Sequence, residues 1–96
     1  LLIGESATQE HLAKIEAAVV DGDEIERIIH MKTLHIGPEE LLVAVKVGVP
    51  DGATAADVAD AIDAAERRIR AAVPIARMIY VEPDIFRPEA ARAATD

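Results

Sequence analysis

From Leu41 to Val49 the chain alternates. Leu41, Val43, Val45, Val47 and Val49 fall on one side of an extended backbone, and Leu42, Ala44, Lys46 and Gly48 on the other. Strand side chains point to opposite faces with a period of two, so this stretch reads as a strand with one wholly apolar face. Such a strand cannot stand alone in water. It needs neighbouring strands to satisfy its backbone and a covering layer to bury the Leu and Val side chains.

The flanking residues supply both. Residues 25–36, with four Ile and a Thr, read as a strand running into His35-Ile36, and Gly37-Pro38-Glu39-Glu40 is a turn that closes an antiparallel hairpin. Pro50-Asp51-Gly52 ends the central strand. Thr54 then caps a helix over 55–72, with Asp57 at the third position of a capping box. Val58, Ala61, Ile62, Ala65, Ile69 and Val73 form its apolar stripe. Asp57, Asp60 and Asp63 precede Arg67, Arg68 and Arg70, an order that complements the helix dipole, and Asp63–Arg67 and Glu66–Arg70 are spaced for i,i+4 pairs. Pro74 ends this helix, and residues 75–82 form a third strand closed by Pro83-Asp84. Upstream, Ser6 and Gln9 have capping-box spacing before a helix over about 7–20, striped by Leu12, Ile15 and Val19. Asp21-Gly22-Asp23 stops it, with Gly22 expected in the left-handed region.

The order is therefore αββαβ in one α+β domain, since 96 residues leave no room for two. Two helices cover one face of a three-stranded mixed sheet. The other face, expected to carry Ile, Met and Ala, is left open, and a second subunit is expected to cover part of it.

Composition removes several functions. With a net charge of −8 and one Tyr and one Phe as its aromatic residues, the chain suits neither a phosphate backbone nor base stacking, so no nucleic-acid partner is expected. Without cysteine there is no disulfide or thiolate metal site. No run approaches the roughly 20 apolar residues of a membrane span. Ser6 and Thr54 are committed to caps, and neither a Gly-x-Ser-x-Gly elbow nor a Gly-rich phosphate loop occurs. A non-enzyme is expected. The chain also opens on Leu1-Leu2-Ile3 without an initiator Met, as a piece of something longer would.

The αββαβ order, the opening Leu-Leu-Ile-Gly-Glu-Ser (1–6), the segment from Ile29 through His30-Met31-Lys32-Thr33 to Pro38, and the strand ending Ile79-Tyr80-Val81-Glu82-Pro83 resemble the cytoplasmic C-terminal domain of the cation diffusion facilitator family. The resemblance covers residues 1–87. It implies a ferredoxin-like, metallochaperone-like sandwich, a homodimer, and attachment to the transmembrane domain of a zinc-type divalent-cation efflux antiporter at the cytoplasmic face of the cell membrane. Residues 1–6 would then be the linker from the last transmembrane helix, 7–87 the domain and 88–96 a flexible tail. The alternative is a free-standing ferredoxin-like module that binds a ligand or metal and has no link to transport.

The family's cytoplasmic metal site is built from His and acidic residues. By resemblance its members here are His30 and Glu82, with Asp57 where an imidazole is usual and with Val45 and Tyr80 at two other imidazole positions. Residue by residue, the implied divalent-metal set is His30, Asp57 and Glu82. His30 and His35, five apart on one strand, point to opposite faces and cannot chelate together. His11 is expected on the surface, and Asp21-x-Asp23-Glu24 lacks the spacing of a calcium loop.

Overall fold

The computed structural model describes residues 5–88, so most of the expected linker and nearly all of the expected tail lie outside the described residues. The order is α1 (Gln9–Val19), β1 (Arg27–Gly37), β2 (Glu40–Gly48), α2 (Ala55–Ala72) and β3 (Ala76–Asp84). The strands lie in the order β1-β2-β3, with β1 antiparallel and β3 parallel to β2. This is the expected α+β arrangement with a mixed sheet, consistent with a ferredoxin-like fold.

The alternation in β2 decides which face is inside. Leu41, Val43, Val45, Val47 and Val49 are all buried, while Leu42, Ala44 and Lys46 are half-buried. In register with the inward residues stand Ile28, Met31, Thr33 and His35 of β1 and Ala76, Ile79 and Val81 of β3. Ile79 thus faces inward rather than lying on the open face. Ile15, Ala18 and Val19 of α1 and Ala61, Ala65 and Ile69 of α2 close the same core, together with Val73.

Helix α2 has the expected limits and capping box: Thr54 Oγ1 accepts from Asp57 N at 3.1 Å, and Asp57 Oδ2 accepts from Thr54 N at 3.2 Å. Helix α1 differs. Its N-cap is Thr8, whose hydroxyl accepts from His11 N at 3.2 Å, which places Gln9 at the first helical position and leaves Ser6 outside the cap. Gly22 also differs from expectation. It is not in the left-handed region; an added Cβ there would meet the Glu24 carboxylate, so glycine leaves that side chain room to stay on Arg68. Strand β3 runs on through Pro83, which an edge strand tolerates because a missing N–H on its outer side costs no ladder bond.

The C-terminal end of α1 is closed from a distance. Arg68 of α2 donates from Nε to Ala18 O at 2.6 Å and from Nη2 to Val19 O at 3.0 Å, while its Nη1 meets Glu24 Oε1 at 3.1 Å. The last turn of α1 has no basic residue of its own, and Arg68 supplies both the donors and the positive charge that its carbonyls need.

Candidate functional site

The face of the sheet away from the helices is built in rows, because cross-strand partners in register share a side. The first row is Leu34, Leu42 and Met78, the second Lys32, Ala44 and Tyr80, the third His30, Lys46 and Glu82. At the far end Gly48 stands between Arg27 and Asp84. There Phe86 folds back so that the Arg27 guanidinium sits 3.9 Å from its ring centroid. Gly48 makes this possible, since a Cβ would lie 3.1 Å from Arg27 Cγ and 3.6 Å from Phe86 Cβ.

The face is therefore divided. Apart from Lys32 on β1, one half is apolar and exposed: Leu34 at 40 %, Met78 at 37 % and Tyr80 at 58 % of full accessibility. Large apolar side chains gathered in adjacent rows, unlike scattered ones, mark a surface that associates. The other half is charged. Lys46 Nζ lies 3.6 Å from Glu82 Oε2 and 4.0 Å from Asp84 Oδ2, and Arg87 Nη1 lies 3.4 Å from Asp84 Oδ1. Asp84 Oδ1 also accepts from Ile85 N at 2.7 Å.

The sequence-derived metal set is only partly gathered here. His30 and Glu82 share a row, but they flank Lys46 on the central strand, two strand spacings apart, or roughly 9–10 Å between backbones. Asp57 is elsewhere, at the start of α2 on the helical side, with its carboxylate on Thr54 N and beside a cavity of about 630 Å³ shared with Glu24, Asp60 and Arg67. Among the described residues no group of three or more His, Cys, Asp or Glu could hold a metal ion. The residues present do not fit one within a single chain. A divalent ion about 4 Å from the Lys46 ammonium would meet a repulsion of roughly 2 kcal/mol at the dielectric of water and 8 kcal/mol at an effective value of 20.

The other histidines have separate roles. His35 is 3 % exposed in the core, its backbone N–H donating to Glu5 O at 2.7 Å and its Nδ1 lying 3.3 Å from Gly37 O, so the two β1 histidines face opposite ways as their spacing requires. His11, expected on the surface, is half-buried, and its enclosed Nδ1 has no partner among the described residues. Glu24 carries a perturbed carboxyl. A backbone N–H within its own residue, assisted by Arg68, holds its carboxyl below the usual range against the opposing effect of desolvation.

Comparison with solved structures identifies the architecture. A MamM C-terminal domain superposes with a TM-score of 0.74 at 16 % identity, covering 80 % of this chain and 92 % of that one. A nickel form of a MamM C-terminal domain variant gives 0.77 at 12 % identity over 83 % and 100 %, and a cadmium form gives 0.77 at 12 % over 84 % and 100 %. The fold is that of the MamM C-terminal domain. At these identities the likeness is one of fold. No family model matches the chain, and the comparison with curated proteins found no match. Among the described residues no helix is long and apolar enough to cross a membrane.

Proposed function

We propose that this chain is the cytoplasmic dimerisation and regulatory domain of a divalent-cation efflux antiporter. The observation that carries the reading is the apolar half of the uncovered face, on a fold shared with the MamM C-terminal domain over 80–84 % of the chain. An identical copy meeting Leu34, Leu42, Met78 and Tyr80 would remove that surface from water at a gain of roughly 25 cal/mol per Å². Joined to membrane helices, such a pair would hold two transport units in register, and regulation would act through the closeness of the pairing. Transport itself, and the choice of metal, belong to the membrane part.

The role is one of assembly rather than catalysis. The hydroxyls of Thr8, Thr33 and Thr54 accept from the backbone N–H groups of His11, Ala7 and Asp57, and none is paired with an imidazole ring among the described residues. The test is light scattering coupled to size-exclusion chromatography from micromolar to millimolar protein. A mass that climbs to twice the monomer supports the reading. A monomer over the whole range removes it.

A further inference from the structure

We infer that Lys46 is a built-in counter-ion: its ammonium takes the position on Glu82 and Asp84 that a divalent cation would need, and so closes the charged half of the uncovered face to metal. Lys46 is the one charged residue between Leu41 and Val49. Strand β2 is central, so its side chain cannot swing out past an edge and must lie on the face, between His30 on one side and Glu82 on the other. Its Nζ sits within 4.0 Å of carboxylate oxygens on both Glu82 and Asp84.

The local charge balance makes the same point. The chain as a whole carries −8, yet here the two carboxylates are met by two cations, Lys46 and Arg87, with Arg27 a third positive charge at the same end of the face. Partly exposed ion pairs contribute little to stability, with side-chain exposures here between 35 and 69 %. The principal effect of the pairing is therefore on what else can bind. A metal entering the row would have to displace an ammonium that cannot itself act as a ligand, and would gain at most His30 and two shared carboxylates. MamM C-terminal domains occur in nickel, cadmium and copper forms. This chain has their fold and a fixed positive charge in the middle of its His–acid row. On the assembly reading above, which this consequence alone depends on, pairing of two copies is indifferent to divalent metal.

Calorimetric titration of nickel into the wild type, K46M, K46R and the double variant K46M/E82Q tests the assignment, with circular dichroism confirming the fold of each. Methionine keeps the length of the stem and removes the charge. K46M is expected to bind nickel at least tenfold more tightly than the wild type, K46R to match the wild type, and K46M/E82Q to lose the gain. Equal affinity in K46M and wild type overturns the assignment, as does a gain that survives E82Q. Light scattering of the same samples reads assembly separately. A wild type that stays monomeric while K46M gains affinity refutes the assembly reading and leaves Lys46 in its role; a wild-type dimer whose population shifts with nickel refutes the claim of metal indifference.

Discussion

A single guanidinium joins the two helices. Arg68 reaches the last carbonyls of α1 and the Glu24 carboxylate across about fifty residues of sequence, with its side chain 22 % exposed. Hydrogen bonds to a charged group contribute about 1.5–3 kcal/mol, so Arg68→Met is expected to lower the urea-unfolding free energy by about 2 kcal/mol. Gly22→Ala should produce a smaller loss by pushing Glu24 off Arg68. Glu24 adds a pH dependence. Its carboxyl is lowered in the folded state, so its contribution is fully present above the ordinary value of 4.5 and is lost as the pH falls through the folded value below that. Glu24→Gln should flatten the stability curve in that acid window and leave its shape near neutrality unchanged, as urea titrations at stepped pH would show. In the sequence, the Arg68 charge reads as a complement to the dipole of its own helix. Its partner lies fifty positions away, and the one local sign in the sequence is a first helix whose last turn has no basic residue.

Elements whose signal is local were the most legible. The β2 alternation named every inward residue, because a one-residue slip would have placed Lys46 in the core. The Thr54–Asp57 box and the limits of α2 were equally plain, since both partners lie within one turn. The sequence pattern starts helix α1 two residues early, as Ser6 and Thr8 both offer a hydroxyl and only tertiary packing chooses between them; Thr33 Oγ1 accepts from Ala7 N at 3.0 Å and holds the chain so that Thr8 enters the cap position. N-cap replacement costs about 1 kcal/mol. Thr54→Ala and Thr8→Ala should each show that loss in urea melts, and Ser6→Ala almost none.

For the whole molecule, the bare sheet face followed from counting layers, but its division into an apolar and a charged half did not. That pattern depends on cross-strand register, and the irregularities between Ile28 and His30 and between Leu41 and Leu42 reset which residues stand side by side. The metal set failed to converge for a related reason: its three members were placed by resemblance, which carries positions but not the lysine that now stands between two of them. If the apolar half is the dimer surface, Met78→Lys with Tyr80→Lys should give a monomer of unchanged circular dichroism, its sedimentation coefficient independent of concentration.

The chain contains no tryptophan and a single tyrosine, and that tyrosine is Tyr80, more than half exposed in the apolar rows of the sheet. Its near-ultraviolet emission is therefore an unlabelled optical reporter confined to one patch of the protein. Acrylamide quenching should fall as two copies close over it, so the occupancy of the patch can be followed in real time without attaching a dye.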